Sequence, residues 1–362
     1  MPAPSVSTLR AAGEAAGLDA LGVASAEPFH GTRAHLEARK AEGLHGGMQF
    51  TYRRPERSTD PRRTLPSARC LVVGARRYPA PVADPGPATA RVAAYATEDH
   101  YGALRAGLGA VAALLTEAGF ATRTLVDDNG LVDREAAYRA GLGWYGKSSN
   151  LLLPGQGSWF VLGSVLTDAD LETAAEPVAD GCGSCTRCID GCPTGAIVAP
   201  GVVDARRCLA WLVQAPGVFP VEHRAALGDR IYGCDTCQEV CPPNRRSRRA
   251  GSPTDDGGGD GSSVPVLDLL RASDEELLAR HGRWYIPRRD PDHLRRNALV
   301  VLGNIGDGGD ADVVAVLVEL LRHPNPLVRA HAVWAARRLG RDDLLAPLCH
   351  DRAPDVRAEL DR

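Results

Sequence analysis

The spacing of apolar residues alternates between helix-like and strand-like up to about residue 170. Residues 5–24 predict an amphipathic helix that runs into a strand, with Gly17 as the helix stop. Leu71–Gly74 predicts a short buried strand, Tyr101–Gly119 a long helix rich in alanine and leucine, and Ala121–Val126 another strand. This alternation predicts a domain of the α/β or α+β class.

From Val264 onward the pattern is helical, and it repeats. The segment HLRRNALVVLGNIG at 293–306 recurs as LVRAHAVWAARRLG at 327–340, and a shorter copy, PDVRAEL, occupies 354–360. Repeats of this length predict a short HEAT-type helical solenoid, in which each repeat packs on the next. A plain helical cap is the alternative.

The stretch between these regions is dense in glycine and polar residues. GLGWYGKSSN at 141–150 offers backbone amides and four polar side chains, which suit an anionic or amide-fringed ligand; they are Lys147, Ser148, Ser149 and Asn150. The three glycines of this segment match G-x-G-x-x-G in letters, but they follow a predicted helix, whereas a dinucleotide fingerprint follows a strand. Just upstream, Asp133 precedes a predicted helix over Glu135–Ala140, so its simplest role is that of a helix N-cap.

Composition and charge narrow the class of protein. The chain has 362 residues and is 44% hydrophobic, so we expect two or three domains with substantial cores. A net charge of -3 argues against general adhesion to nucleic acid and leaves room for local basic patches. Residues 1–30 contain no membrane-length apolar run and no twin-arginine pair, so we expect a cytoplasmic protein.

Eight of the ten cysteines lie between residues 182 and 241. The first four are spaced C-x2-C-x2-C-x3-C and are followed by Pro193, which is the bacterial-ferredoxin run, whose fourth cysteine binds the other cluster of a pair. A second run ends in Cys-Pro at 241–242 but has Ile231 where its first cysteine is expected, and Cys208 is the natural substitute. The sequence therefore predicts two 4Fe-4S clusters, one bound by Cys182, Cys185, Cys188 and Cys241, the other by Cys192, Cys208, Cys234 and Cys237.

Two other uses of these cysteines compete with the clusters. Zinc ribbons also contain paired C-x2-C motifs, but zinc has no need of a three-cysteine run with two Cys-Pro turns. Disulfides are disfavoured because cytosolic thiols stay reduced. Cys70, at the start of a predicted strand, is expected to be a small core residue, and Cys349 is not expected to bind a cluster.

Several motifs together resemble the epoxyqueuosine reductase family, the cobalamin-dependent enzymes of queuosine synthesis in tRNA. They include GLHGGMQF, AGLGWYGKSSNLL, GSWFVLGSVLTD, CGSCTRCIDGCPTGAI and, above all, IYGCDTCQEVCPPN followed by the helical repeat. The resemblance runs from about residue 8 to about residue 340. The chain differs from the usual family pattern at 98–102, at 213–216 and at Pro243.

The resemblance implies an α+β fold with three functional parts. Residues 1–175 would form a nitroreductase-like domain that binds base-off cobalamin, and residues 176–245 a ferredoxin-like domain with the two clusters. A linker over 246–263 would lead to a HEAT-like helical repeat domain over 264–362. Cobalamin contacts are expected at the 147–150 segment, with Tyr101 and Arg139 as further candidates.

The resemblance also implies the reaction. Electrons would pass through the clusters to cobalamin, and the epoxide on the cyclopentane ring of the modified base would be reduced to an alkene with loss of water. Asp133, in LVDRE, falls where the family places its proposed proton donor, which favours an acid role over a capping role. An epoxide oxygen is a poor leaving group at neutral pH, and a positioned acid typically gives about 10² to 10⁴-fold.

The implied macromolecular partner is the anticodon stem-loop of a tRNA, held with help from the C-terminal repeat. Basic residues cluster in two places that could contact phosphates; they are Arg245, Arg246, Arg248 and Arg249 after the last cluster cysteine, and Arg288, Arg289, Arg295 and Arg296 at the first repeat. The electron donor is expected to be a ferredoxin or a flavodoxin, and the chain is expected to act as a monomer.

Two other classes of function stay open on the sequence alone. One is another cobalamin and iron-sulfur reductase, either similar to reductive dehalogenases or a divergent paralogue with a different substrate. The other is a protein that only relays electrons through its clusters, although the 175 residues ahead of them exceed what a relay needs.

Overall fold

A computed structural model describes residues 2–80, 88–174, 176–249 and 261–362. The chain divides into two compact units, each of which is assembled from three separate segments of the sequence. The first unit comprises Met1–Ala80, Glu98–Arg206 and Thr236–Asp256, and the second comprises Pro81–Thr97, Arg207–Asp235 and Gly257–Arg362.

The described residues form strands in both units. These strands are β1 (Ala20–Ser25), β2 (Cys70–Arg77), β3 (Thr89–Val92), β4 (Thr122–Val126), β5 (Trp144–Tyr145), β6 (Leu151–Leu152), β7 (Phe160–Thr167), β8 (Ile197–Ala199), β9 (Val202–Val203), β10 (Arg230–Tyr232) and β11 (Ser263–Pro265).

The helices of the first unit are α1 (Val6–Ala15), α2 (His30–Ala41), α3 (Pro55–Ser58), α4 (His100–Glu117), α5 (Asp133–Arg139), α6 (Arg187–Asp190), α9 (Thr236–Glu239) and α10 (Pro242–Arg249). Those of the second unit are α7 (Leu209–Leu212), α8 (Val221–Leu227), α11 (Val266–Arg271), α12 (Asp274–His281), α13 (Asp292–Ile305), α14 (Ala311–Leu320), α15 (Pro326–Arg338) and α16 (Pro354–Leu360).

A four-stranded antiparallel sheet in the order β1-β2-β7-β4 forms the centre of the first unit. Alternate residues of β2 point to opposite faces. Leu71, Val73 and Ala75 share a buried cluster with Ala136 and Ala137 of α5. The sequence shows β2 as a run of apolar residues without alternation because both faces of this sheet are covered.

Helix α4 covers the other face of this sheet at close range. It buries Leu104, Leu108, Val111 and Leu115, which recur every three or four residues along one side. A Cβ atom at Gly74 would lie 2.9 Å from the Leu108 side chain, so glycine is what lets α4 approach the strand.

The predicted N-terminal elements are present. Helix α1 ends just before Gly17, whose φ of +88° lies in the left-handed region that ends helices, and β1 follows at once. Together with the helical C-terminal repeat described next, these elements confirm the predicted α+β class.

The second unit is mostly helical. Helix α13 packs on α11 and α15, and α15 packs on α14 and α16. The repeated segments of the sequence correspond to α13 and α15, and the short third copy is α16. Every residue from His293 to Gly303 is buried, so α13 is surrounded by protein on all sides.

Two internal segments join the second unit through a small sheet. Strand β3 pairs in parallel with β10 and antiparallel with β11, which brings residues from 89–92, 230–232 and 263–265 into one sheet. Part of the predicted linker has regular structure, since α10 extends to Arg249 and β11 begins at Ser263. The central part of that linker, residues 250–260, lies outside the described residues. In the described part of the chain, no helix is long and apolar enough to cross a membrane.

A buried ion pair joins two helices of the second unit. Arg224 of α8 donates from Nη2 to Glu359 of α16 at 2.8 Å and from Nε to the Phe219 carbonyl oxygen at 2.9 Å. The two charged side chains are 0% and 4% exposed. Burial lowers the pKa of Arg224, and the Glu359 carboxylate opposes that shift. Removing one partner would leave the other charge buried alone.

We expect Glu359→Ala to lower the free energy of unfolding by about 3–5 kcal/mol, because Arg224 would keep its charge without a counter-charge. Urea unfolding followed by circular dichroism measures this loss. The matched control is Arg362→Ala, since Arg362 contacts the same carboxylate from a half-exposed position and should contribute about 1 kcal/mol or less. Equal losses in the two variants would contradict this account.

Candidate functional site

Four of the predicted cluster ligands come together in the first unit. The charge of Cys188 interacts with Cys182 and Cys185, and that of Cys241 interacts with all three. All four are free thiols, and burial raises the pKa of Cys241 to about 11. These four cysteines are the set that the crossed ferredoxin pattern assigns to one cluster. Within the described residues, no group of three His, Cys, Asp or Glu side chains is arranged to hold a single metal ion.

A buried polar network fixes the segment that carries Cys237 and Cys241. Asn244 donates from Nδ2 to the Ser158 hydroxyl at 2.9 Å and to the Gln238 carbonyl oxygen at 2.8 Å, while the Ser158 hydroxyl bonds the Gln238 side chain at 2.9 Å. Ser158 N–H completes the network by donating to the Asn244 side-chain oxygen at 2.6 Å. Satisfied buried networks of this kind hold a segment in one arrangement.

The Cys192 sulfur accepts hydrogen bonds from the backbone that follows it. Ala196 N–H lies 3.2 Å from Sγ. Burial acts to raise the pKa of Cys192, but backbone N–H groups of Thr194 and Ala196 outweigh it, so the pKa is lowered. Hydrogen bonds to ligand sulfurs are among the factors that set the reduction potential of an iron-sulfur cluster.

The polar loop 147–150 is bonded to the cysteine-bearing segments. Lys147 Nζ donates to the Gly183 carbonyl oxygen at 2.7 Å, which lies between the first two cysteines of the run. The Ser149 hydroxyl donates to the Gly201 carbonyl oxygen at 2.8 Å, and Asn150 Nδ2 lies 3.7 Å from the Cys237 sulfur. These three side chains therefore hold the loop against the segments that carry the cysteines.

These bonds change how the predicted cobalamin contacts are interpreted. The Ser148 hydroxyl has no protein partner among the described residues, unlike its three neighbours. Arg139 is also engaged, since its Nε lies 2.9 Å from Glu135 and its guanidinium lies 4.3 Å from the centre of the Phe29 ring. Tyr101 lies in the first turn of α4. Direct contact with cobalamin stays a prediction for all six residues, and Ser148 is the one of the four loop residues whose side chain bonds no described residue.

Asp133 is the first residue of α5, and it does not cap that helix. The N-cap position is Val132, which makes no side-chain capping bond, and the Asp133 carboxyl group accepts no hydrogen bond from any described residue. The pKa of Asp133 is raised well above its ordinary value. Burial is the largest cause, the carboxylates of Asp127 and Asp128 add to it, and the charge of Arg134 opposes it. A raised pKa favours the protonated form of a carboxyl group, which is the form that can donate a proton.

The backbone beside this acid is strained. Asp127, directly after β4, has a φ of +52°, in the left-handed region that few residues other than glycine adopt. Burial raises the pKa of Asp127 as well. Arg134 donates to the Ser149 carbonyl oxygen at 3.1 Å, so α5 and the polar loop are joined. Asp133 is thus the neighbour of Arg134, which bonds the polar loop 147–150, and this loop in turn bonds the cysteine-bearing segments.

Four cysteines remain, and two of them are predicted cluster ligands. Cys70 is 3% exposed and its thiol points to the Leu171 carbonyl oxygen, which confirms it as a core residue. Cys349 is exposed. Cys208 and Cys234, the other two predicted ligands, belong to the second unit, where Cys208 is the N-cap residue of α7 and Cys234 packs against the main core.

Two of the predicted RNA-binding arginines are internal, which corrects that prediction. Arg295 is bound by Asp274 at 2.6 Å and by Asp292 at 2.8 Å, and its side chain is 8% exposed. Arg296 is 1% exposed and bonds backbone carbonyl groups. Neither guanidinium can contact a phosphate. The sequence repeat could have indicated that Arg295 is internal, because Arg295 aligns with Arg329, which forms an ion pair with Asp351.

The other arginines of this group are on the surface, next to an aromatic residue. Arg288 and Arg289 are exposed, and both have φ values near +55°. Tyr285 is 55% exposed, while its neighbour Trp284 is buried and stacks on Tyr232 with ring centres 4.6 Å apart. Tyr285 is not among the predicted site residues, although RWYIPRR interleaves aromatic residues with arginines in the manner of nucleic-acid-binding segments.

The arginines after the last cluster cysteine are only partly described. Arg245 is exposed and donates from Nε to the Glu239 carbonyl oxygen at 3.1 Å. The side chains of Arg246, Arg248 and Arg249 lie outside the described residues.

Two family models match the chain. The model of the 4Fe-4S double cluster binding domain matches residues 181–244, and the model of HEAT repeats matches residues 286–360. The first match includes all eight predicted ligands. The second confirms that the C-terminal repeat is of the HEAT type.

Whole proteins match as well. The epoxyqueuosine reductase of Xanthomonas campestris is 36% identical over 350 residues, covering 94% of this chain and 97% of the relative. A crystal structure of epoxyqueuosine reductase with an epoxyqueuosine-modified tRNA stem-loop superposes with a TM-score of 0.88 at 30% identity, covering 98% of this chain and 96% of the other. A structure of the Bacillus subtilis enzyme, whose aspartate-bearing catalytic loop is swung out of the active site, gives a TM-score of 0.86 at 29% identity, with the same coverage. With this likeness over nearly its whole length, the chain belongs to the epoxyqueuosine reductase family and is an oxidoreductase.

Proposed function

We propose that this protein reduces epoxyqueuosine to queuosine in the anticodon stem-loop of a tRNA. The epoxide accepts two electrons and two protons, both carbon–oxygen bonds of the ring break, and the products are an alkene and water. The observation that carries this proposal is Asp133, an acid with a raised pKa and no hydrogen-bond partner among the described residues. Its helix is joined by Arg134 to a loop that contacts the cysteine segments.

When bound, two 4Fe-4S clusters would supply electrons to the site one at a time. We assign one cluster to Cys182, Cys185, Cys188 and Cys241, and the other to Cys192, Cys208, Cys234 and Cys237. The proximity of the first four thiols supports the first assignment. The second assignment rests on the spacing of the cysteines along the chain.

Cobalamin completes the cofactor set. The described residues fit it at the polar loop, where the Ser148 hydroxyl is available for an amide of the corrin fringe and the neighbouring side chains fix the loop. When bound, cobalamin supplies a strong two-electron reductant for the epoxide carbon. The protein's own part is to keep this reaction beside the cluster segments and to place an acid near the leaving oxygen.

Asp133 fits the role of that acid for a chemical reason. An alkoxide is a poor leaving group at neutral pH, and protonation of the epoxide oxygen removes this barrier. Burial and the carboxylates of Asp127 and Asp128 favour the protonated form of Asp133. The Bacillus subtilis relative has an aspartate in its catalytic loop, which supports the same assignment here.

For the RNA contact we propose the exposed residues Tyr285, Arg288 and Arg289, together with Arg245 and Arg246. Tyr285 can stack on an unpaired base, and Arg288 and Arg289 can contact phosphates. The related enzyme solved with a modified tRNA stem-loop supports RNA as the partner. The electron donor, a ferredoxin or a flavodoxin, the monomeric state and the cytoplasmic location stay predictions.

We expect anaerobically purified protein to contain about eight irons per chain and two interacting reduced clusters by electron paramagnetic resonance. Cys241→Ser should reduce the iron content to about half, because serine is a poor ligand for the cluster. Cys70→Ser and Cys349→Ser are the controls and should keep all the iron. Zinc in place of iron, or only four irons in the unaltered protein, would overturn the two-cluster assignment.

Asp133→Asn should lower single-turnover reduction of epoxyqueuosine tRNA by about two to four orders of magnitude, because asparagine cannot donate the proton. Iron, cobalamin and RNA should still bind. The folded state raises the pKa of Asp133, so the ionised group costs stability once the pH rises above its unfolded pKa. The variant should therefore melt no lower than the unaltered protein near neutral pH. Near-normal turnover would remove Asp133 from the mechanism.

A pH profile separates an acid from a merely structural residue. Turnover should be lost as the pH rises through the pKa of Asp133. Asp127→Asn removes a carboxylate that raises this pKa, so the loss should move to lower pH while Arg134 and Asp128 stay in place. An unchanged profile in that variant would contradict the coupling between the two aspartates.

Binding of an epoxyqueuosine-containing stem-loop, measured against salt, tests the RNA surface. Arg288→Ala should reduce the salt slope by about 0.7–0.9, as expected for one lost phosphate contact. Tyr285→Ala should weaken binding by about 1–3 kcal/mol with little change in slope, and Tyr285→Phe should retain stacking. Binding and slope that stay unaltered in both alanine variants would place the RNA elsewhere.

A further inference from the structure

Helix α13 carries a buried pair, Arg296 and Asn297, whose partners are all backbone or each other. The two residues are 1% and 0% exposed. In the described part of the chain, Arg296 has no carboxylate partner, whereas the adjacent Arg295 has two. Burying a guanidinium group without a counter-ion costs free energy of folding. The hydrogen bonds of Arg296 must offset this cost.

The Arg296 guanidinium holds the end of α7. Nη1 donates to the carbonyl oxygens of Ala215 and Gly217 at 2.6 and 2.7 Å. Nη2 donates to those of Leu212 and Val213, both at 3.1 Å. The last carbonyl groups of a helix lack partners within the helix, and a cation placed there satisfies them.

The other end of α7 is Cys208. This helix has four residues, and its N-cap is Cys208. A single turn is not stable by itself, so its position depends on the groups that hold it. The bonds from Arg296 to the C-terminal end therefore fix the place of the cysteine at the start.

Asn297 extends the same support to a second segment. Its Nδ2 donates to the Val213 carbonyl oxygen at 2.9 Å and to the Ile231 carbonyl oxygen at 3.3 Å, while its Oδ1 accepts from Arg296 Nε at 3.0 Å. Ile231 is in β10, three residues before Cys234. One side chain thus joins the chain after Cys208 to the strand before Cys234.

We propose that Arg296 and Asn297 are positioning residues for an iron-sulfur cluster, because they fix Cys208 and Cys234 relative to each other. This inference rests on the proposed assignment of both cysteines to one cluster. Arg296 thus serves the cluster ligands through the backbone and does not contact RNA. Thiolate ligands must be held at the spacing that the cluster requires, and bonds from one rigid buried helix supply that constraint.

The test is iron loading of the full-length chain after anaerobic reconstitution. Arg296→Lys keeps the charge but lacks the planar set of five donors, so it cannot bond four carbonyl groups at once. It should lower the iron content from about eight to about four per chain and remove the spectral interaction between reduced clusters. Asn297→Ala, a milder change in a helix, should give a partial loss of the same cluster.

Arg295→Lys is the matched control, since Arg295 is the preceding residue of α13 and is also buried, but it bonds Asp274, Asp292 and the Ala272 carbonyl group. It should keep about eight irons even if its melting temperature falls as much as that of Arg296→Lys. Equal iron loss in the control would show a general effect of destabilisation and overturn the proposal.

If Arg296→Lys does not fold, Asn297→Ala is the variant to measure. Full iron content in folded Asn297→Ala would then overturn the proposal. If the unaltered protein contained only about four irons, the ligand assignment itself would be refuted. If the unaltered protein and both variants were all fully loaded, only the positioning role would be refuted.

Discussion

The hydrogen bonds between the loop 147–150 and the cysteine-bearing segments are the constraint on which the site in the first unit depends. Lys147 bonds the loop between Cys182 and Cys185, and Asn150 approaches the Cys237 sulfur. An electron path requires its parts to stay at fixed separations, and directional hydrogen bonds between side chains and distant backbone groups help to maintain them. The loop therefore connects the cysteine-bearing segments to α5, the helix that begins with Asp133.

The same principle explains why so many arginines of this protein are internal. Arg224, Arg295, Arg296 and Arg329 each bond carboxylates or backbone carbonyl groups inside the second unit. Guanidinium groups present five donors in a plane, so one side chain can join several segments that have no regular pairing with one another. The repeat is held by these bonds as well as by its apolar core, and its surface arginines are a separate set.

Asp133 differs from the helix-capping aspartates of this protein in its hydrogen bonding. Asp99 and Asp310, which are the N-cap residues of α4 and α14, accept bonds from the backbone N–H groups of Gly102 and Asp312. Asp133 accepts none from the described residues, and two neighbouring aspartates disfavour its ionisation. One of these aspartates, Asp127, has a left-handed backbone conformation, and strained backbone tends to occur at functional sites.

The sequence by itself determined the features that depend on local spacing. Apolar periodicity identified α1, α4 and the repeat helices, and the spacing of the cysteines identified the two-cluster domain. Motif likeness favoured an acid role for Asp133, although the local pattern by itself favoured a helix cap. Each of these inferences uses the order and spacing of residues along the chain and requires no knowledge of how the elements pack.

Only the tertiary structure decided which polar side chains face inward. Arg295 and Arg296 have the sequence pattern of a basic surface, yet α13 is enclosed on all sides and both are buried. Lys147 and Asn150 have the sequence pattern of ligand-binding residues, and the structure shows that they also bond Gly183 and Cys237, tens of residues away along the chain. Burial and long-range bonding depend on the packing of elements distant in the chain, so local spacing carries no record of them.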